Sequence, residues 1–400
     1  MTVSWCIPMS SPDITQVEID AVHAVLRTPY LSIGPRVDEF EQQAAKYVGV
    51  RHAVAVSSGT AGLHLAILAA GVADGDLVIT TPFSFVASAN VMLYERAIPI
   101  FVDIDPHSLN LDPALVAEAA HDLVSGGSAA QRWLPPSIRH PQSKIRNLKS
   151  ILPVHAFGQP ADMEPILGVA QRRNLAVIED ACEAIGAEYK GRKAGTLGKA
   201  GVYAFYPNKQ MTTGEGGIIV TDDDEWNNLF RSLRNQGRDV FDAWLNHSRL
   251  GYNYRLDEMS AALGAAQMNR IEELLAKRER VAGWYNARLK EIEGVTAPFV
   301  APTTTRSSWF VYVVHFAPEI DRNRVMSLLE TQGVPSRPYF TPIHLLPFYR
   351  QRFGYAPGDF PVTEQVAAST LALPFFGNMS EEQVSLVCVV LREAIVKARK

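Results

Sequence analysis

The sequence predicts an α/β protein in two parts, a large domain over residues 1–259 and a smaller α+β domain over 260–400. From residue 51 to 220, short apolar runs alternate with helical patterns, as in a mainly parallel sheet covered by helices. A long amphipathic pattern then starts at 260 and leads into a mixed strand-and-helix region. A chain of 400 residues also exceeds what one small core holds.

Residues 14–26 carry Val17, Ile19, Val22, Val25 and Leu26 at helical spacing, and a second helix runs through 40–48. Seven strands are expected at 52–56, 77–80, 98–102, 150–154, 175–178, 200–205 and 217–221. One long helix is expected over 260–292, with Ile271, Leu274, Leu275, Val281, Tyr285 and Leu289 on one face. An alternating strand at 309–316, a helix at 322–332, a Pro-rich stretch at 334–347 and a closing amphipathic helix at 381–399 complete the smaller domain. Residues 121–149 stand apart as an insert broken by Gly126-Gly127 and Pro135-Pro136. They hold five basic residues (Arg132, Arg139, Lys144, Arg146, Lys149) against one acid, Asp122. This reads either as a solvated loop or as a cationic flap facing an anionic substrate.

Composition narrows the function. The chain is 47% hydrophobic and 20% charged with a net charge of −4, so no nucleic-acid surface is expected. No stretch approaches the ~20 apolar residues of a membrane span. The N-terminus lacks a signal-peptide pattern, and Cys6, Cys182 and Cys388 suit free thiols in a reducing compartment, so the expected location is cytoplasmic. No His/Cys/acid spacing suggests a metal.

The chemistry concentrates in Ala204-Phe205-Tyr206-Pro207-Asn208-Lys209-Gln210-Met211-Thr212-Thr213-Gly214-Glu215-Gly216-Gly217. Lys209 sits in a loop between two strand patterns. It is either a solvated charge or an amine held in a cavity to form a Schiff base. Val177-Ile178-Glu179-Asp180 reads as a buried strand ending in an acid, and residues 54–63 read as a strand, a small-residue turn and a helix start. Lysine, acid and phosphate-cradling turn are the three parts of a pyridoxal phosphate (PLP) site.

Further motifs occur in order: Gly34-Pro35-Arg36-Val37-Asp38-Glu39-Phe40-Glu41, the turn at 57–63, Pro153-Val154-His155, residues 179–186, the Lys209 loop and Gly251-Tyr252-Asn253-Tyr254-Arg255-Leu256-Asp257-Glu258. On these the chain resembles the DegT/DnrJ/EryC1/StrS family of sugar aminotransferases, within fold-type I of the PLP enzymes. The likeness runs from residue 7 to the C-terminus, apart from the insert.

The resemblance implies a seven-stranded sheet with one antiparallel strand. It implies Lys209 as the Schiff-base lysine and proton carrier, and Asp180 as partner of the pyridine nitrogen. Glu183 would lie near the cofactor's phenolic oxygen or the substrate. Ser58, Gly59 and Thr60 would hold the phosphate at a helix N-terminus, a role compatible with a plain N-cap. Phe85 would stack on the pyridine ring, with Phe83 the neighbouring alternative. Asn253 would cross a homodimer interface to the partner's phosphate, making the sites composite, and Arg255 would serve the dimer or the substrate. Tyr206, Arg337, Tyr339 and His344 are candidate substrate residues. His155 is either near the cofactor or a satisfied interior histidine. Where the family often has serine and histidine ahead of the lysine, this chain has Ala204 and Tyr206. The activity implied is transfer of an amino group, with glutamate as donor, to a nucleotide-linked keto-sugar such as a 4-keto-6-deoxyhexose. A 3-keto sugar or keto-inositol acceptor is the alternative, and a non-catalytic PLP-binding regulator is the reading from another class.

Overall fold

The structure is a computed structural model describing residues 7–140, 145–238 and 246–399; Cys6 and Lys144 lie outside the described residues. Helices α1 (Gln16–Leu26) and α2 (Pro35–Val48) come first. Then follow β1 (His52–Val56), α3 (Gly59–Ala69), β2 (Leu77–Thr80), α4 (Ala87–Tyr94), β3 (Ile98–Phe101), α5 (Pro113–Ser125) and α6 (Gly127–Gln131). Next are β4 (Leu148–Ile151), α7 (Met163–Arg173) and β5 (Ala176–Asp180). A small hairpin, β6 (Glu188–Tyr189) and β7 (Arg192–Lys193), leads to β8 (Ala200–Ala204), β9 (Gly217–Thr221) and α8 (Asp224–Arg234).

Seven strands form one sheet in the order β1-β9-β8-β5-β4-β2-β3. Only β9 is reversed, antiparallel to both β1 and β8, while the other pairs are parallel. This is the mainly parallel sheet the sequence predicts. The strands read as continuous apolar runs because helices cover both faces. β1, β2 and β9 begin and end where expected; β4 starts two residues earlier, at Leu148.

The rest of the chain holds α9 (Glu258–Asn269), α10 (Ile271–Leu289), β10 (Val295–Thr296), β11 (Thr304–Arg306), β12 (Tyr312–Phe316) and α11 (Arg322–Thr331). α12 (Pro347–Phe353), α13 (Pro361–Ser369), β13 (Thr370–Leu373) and α14 (Glu381–Ala398) close it. Strands β10, β12 and β13 form a second sheet, and β11 joins the β6–β7 hairpin. The helix expected over 260–292 is two helices. Arg270 leaves helical geometry between them, and its guanidinium turns to Asp13 and Glu18, at 2.5 and 2.8 Å. Ala261, Ala265 and Met268 of α9 pack with Phe40 beneath the large sheet, whereas Tyr285 and Leu289 of α10 pack with Tyr312 and Leu391. Ile271, Leu274 and Leu275 join the first cluster, so the two cores meet along α10, beyond the division expected at residue 259.

Among its described residues the insert is mostly exposed, but it is anchored at several points. Ala130 and Leu134 are buried, and Leu134 packs with Phe101 and Tyr349. Arg132 binds Glu118 and Asp122, at 2.5 and 2.6 Å, and lies over the Trp133 ring. Arg139 donates to the carbonyl of Leu134. Glu118 precedes residue 121 and so escapes a charge count confined to the insert.

Glu258 explains why two distant motifs occur together. Its buried carboxylate accepts from the amides of Gly34, Arg36 and Val37, at 2.9, 2.8 and 3.1 Å. A negative charge at the N-terminus of α2 also suits the helix dipole. We expect Glu258→Ala to leave these donors unpaired and to cost roughly 1–3 kcal/mol. A lower urea midpoint at unchanged m-value would show it, and an unshifted midpoint would remove this role.

Candidate active site

A cavity of about 480 Å³ opens beyond β1, β5 and β8, lined by Ser58, Asp180 and Ala204 from just past or at their carboxyl ends. Open parallel sheets bind ligands at that edge. The loop after β8 turns back on itself: Phe205 accepts from the Thr213 amide and donates to the Gly216 carbonyl. It presents Lys209 to the cavity, mostly shielded from solvent. The Lys209 Nζ lies 3.6 Å from Glu183 Oε1 and 3.7 Å from the centre of the Phe310 ring. Lys209 is therefore not a solvated surface charge.

Two carboxylates share this space. Asp180 ends β5, and its Oδ2 accepts from Ser88 Oγ at 2.7 Å while Oδ1 accepts from the Cys182 amide at 3.1 Å. Its main chain is tied to Pro153 and His155. Glu183 is buried, and its Oε2 accepts from the Phe157 amide at 2.9 Å. Burial pushes the Glu183 carboxyl above the usual carboxylate range; the Lys209 charge and the Phe157 amide oppose that rise, and the Asp180 charge adds to it.

The third part is the start of α3. Ser58 is the N-cap, its Oγ accepting from the Ala61 amide at 3.0 Å. The amides of Gly59 and Thr60 precede the first intrahelical bond, so they can serve an anion. A Cβ at Gly59 would stand 2.7 Å from the Ala204 Cβ and 2.8 Å from Cys182 Sγ. Glycine is required there, and Ala204 supplies a methyl in place of a hydroxyl.

The aromatic candidates separate cleanly. Phe85 lines the cavity with 63% of its surface open, whereas Phe83 is fully buried against Phe157 and Phe340. Tyr206 and Tyr339 also line the cavity. Arg337 does not: it is exposed, its backbone pairs with Ala372, and its guanidinium donates to the Ser336 carbonyl. His344 must be struck from the site. It is fully buried in a short turn after Pro342, bonds Glu364 at 3.0 Å and packs on Phe360, so its ring points to α13 and not to the cavity. His155 is a satisfied interior histidine. Its Nδ1 accepts from the Ala161 amide, so Nε2 carries the hydrogen that it gives to Glu179 at 2.8 Å. Asn253 is exposed and bridges to Asn235 outside its own chain's cavity, and Arg255 bonds the Asn235 side chain.

Sequence reasoning missed Ser88, Phe310 and Phe340. Ser88 is one serine in the first turn of a helix and has no distinguishing spacing. The two phenylalanines come from the distant C-terminal region. One cavity thus offers an amine, a carboxylate held for a cation, a helix N-terminus for an anion and an aromatic face, and these fit PLP.

The model of the DegT/DnrJ/EryC1/StrS aminotransferase family matches residues 12–392. The chain is 38% identical over 394 residues to GDP-perosamine synthase of Caulobacter vibrioides, covering 98% of each protein. It is 32% identical to GDP-perosamine synthase of Escherichia coli O157:H7, covering 97% of this chain and 98% of that one. Among solved structures it resembles DesV of S. venezuelae, captured with a ketimine intermediate, with a TM-score of 0.84, 29% identity and coverage of 97% and 98%. The chain belongs to the DegT/DnrJ/EryC1/StrS aminotransferase family and is a PLP-dependent aminotransferase of fold-type I.

The site geometry yields a paired expectation. Lys209→Ala keeps the fold and loses conversion of PLP to pyridoxamine phosphate by an amino donor. Asp180→Asn keeps fold and cofactor but loses turnover by orders of magnitude, because the charge facing a ring cation is gone. Visible absorbance of the reconstituted variants reports both; near-normal conversion by either sinks the corresponding assignment.

Proposed function

We propose that the chain transfers an amino group from glutamate to a nucleotide-linked keto-sugar, with a 4-keto-6-deoxyhexose as the acceptor. The observation that carries the chemistry is Lys209 Nζ beside Glu183 in the cavity that also holds Asp180 and the start of α3. The sugar assignment is supported by two relatives named GDP-perosamine synthase. When bound, PLP supplies an electron sink and a temporary carrier for the amino group.

The chain's own residues do the rest. Lys209 would hold the cofactor and, once free, carry a proton on Nζ between the nitrogen-bearing carbon of the substrate and the cofactor carbon that carries the amine, in each half-reaction. Asp180, its oxygens fixed by Ser88 and the Cys182 amide, would face the ring nitrogen and keep it protonated. Glu183, fixed by the Phe157 amide, would orient Lys209 from the other side. Ser58, Gly59 and Thr60 would bind the phosphate, and Phe85 would cover the ring. Tyr206 and Tyr339, on the cavity wall, would meet the sugar. Arg132 and Arg139 have no part in this reading, since local acceptors already hold them. Location in the cytoplasm fits the free Cys182 and Cys388 thiols, and among the described residues no helix is long and apolar enough to cross a membrane.

The substrate reading is tested with nucleotide amino sugars and 2-oxoglutarate in the reverse direction. We expect glutamate to form fastest with a 4-amino-4,6-dideoxy sugar nucleotide. Faster turnover of a 3-amino sugar or an amino-inositol would transfer the assignment to that acceptor.

We also propose a homodimer in which Asn253 reaches the partner's cofactor phosphate; exposed Asn253 and the open Phe85 ring suit this. Lys209→Ala and Asn253→Ala chains, each inactive or impaired alone, should regain activity when unfolded and refolded together. One site of each mixed dimer then has both residues intact. No gain on mixing, with mixed dimers verified by mass, would refute the shared site.

A further inference from the structure

Helix α10 carries a cation to the back of the lysine loop. Arg278 is buried, and among the described residues its guanidinium has no carboxylate in ion-pair contact. It is met by main-chain carbonyls instead. Nη2 donates to Lys209 and Asn208, at 2.5 and 3.3 Å, and Nη1 donates to Phe310 and Trp309, at 3.1 and 3.2 Å. Loss of solvation pushes this guanidinium down to about 10, with the Asp13 charge opposing. A cation removed from water without a counter-charge in contact is costly. A planar fork that fixes four oxygens offers geometry in return.

The four carbonyls belong to two segments that meet at the reactive amine. Asn208 and Lys209 lie in the loop of the large sheet; Trp309 and Phe310 lead into β12 of the smaller one. The Phe310 ring is the surface on which Lys209 Nζ rests, at 3.7 Å. One rigid group therefore sets both the main chain of the lysine and the ring beneath its tip. Gln210 reinforces the same junction, donating to the Glu183 carbonyl and to Ser308 Oγ at 2.6 and 2.9 Å.

We propose that Arg278 is the positioning residue for Lys209, fixing the angle at which Nζ meets the cofactor by holding the Lys209 and Phe310 carbonyls in one fork. A role limited to filling unpaired carbonyls would lower stability and leave the reactivity of Lys209 alone. The inference rests on Lys209 as the residue that bonds PLP.

The test follows covalent capture rather than turnover. Wild type, Lys209→Ala, Arg278→Met and Arg278→Lys, freed of cofactor, are mixed with PLP and quenched with borohydride at intervals. Mass spectrometry of the peptides gives the capture rate at each lysine, with far-UV circular dichroism as the folding control. We expect Arg278→Met to capture at Lys209 at least ~10-fold more slowly, since misplacement by about an ångström costs reactivity of that order or more. Arg278→Lys should fall between, because a single ammonium reaches fewer of the carbonyls. Capture by Arg278→Met at the wild-type rate overturns the proposal; if that variant does not fold, capture by Arg278→Lys at the wild-type rate does so. Covalent capture persisting in Lys209→Ala at another lysine would instead overturn the reading of Lys209 itself.

Discussion

An amine and two carboxylates stand together with most of their own surface shielded from solvent, and the rest of the structure answers to that constraint. Lys209, Asp180 and Glu183 are each largely buried. Charges in such a setting are costly unless hydrogen bonds replace the lost water. Ser88 and the Cys182 amide serve Asp180, and the Phe157 amide serves Glu183. These donors come from separate parts of the large domain, so the site exists only once the sheet, its crossover helices and the 180–183 turn are assembled together.

The sheet topology makes that assembly possible. Asp180 ends a parallel strand beside β8, and β8 must turn back as β9 to fit between itself and β1. The reversal creates a loop that leaves and returns at the same sheet edge. Lys209 sits on it, and β1 delivers Ser58 to that edge from the far side of β9. Gly217 lets β9 run close beneath the turn into α3: a Cβ there would meet the Ser58 carbonyl carbon at 2.6 Å. The single antiparallel strand is thus what brings Lys209 and the N-terminus of α3 to one cavity.

Much of this was legible because it is local. Strands buried on both faces announce themselves as apolar runs, and Lys209, Asp180 and Ser58–Thr60 stand at the ends of such runs. What escaped depends on side chains meeting across the fold. The break at Arg270 has no proline or glycine to mark it; its cause is a pair of acids some 250 positions earlier in the chain, Asp13 and Glu18. His344 looked available in a Pro-rich stretch, yet Glu364 turns it inward. The insert looked loose from its glycines and prolines, and Ala130, Leu134 and the Glu118–Arg132–Asp122 group fasten it down. Glu258 is another such case: no spacing marks its partners, and its three acceptor bonds hold α2 from more than 200 positions away.

The cavity's two walls differ in kind, and the difference bears on selectivity. The inner wall is charged, and its carboxylates are held by hydrogen bonds from Ser88 and the Cys182 and Phe157 amides. The outer side is aromatic, formed by Phe85, Tyr206, Phe310, Tyr339 and Phe340, with Phe85 and Tyr206 more than half exposed. Aromatic surfaces accept varied sugar faces through packing and impose few hydrogen-bond requirements. A charged inner wall and an aromatic outer one thus divide the cavity between the reacting groups and the surface left for packing. Phe85 and Tyr206, the most open of these rings, stand at the rim, while Lys209, Asp180 and Glu183 stand deeper.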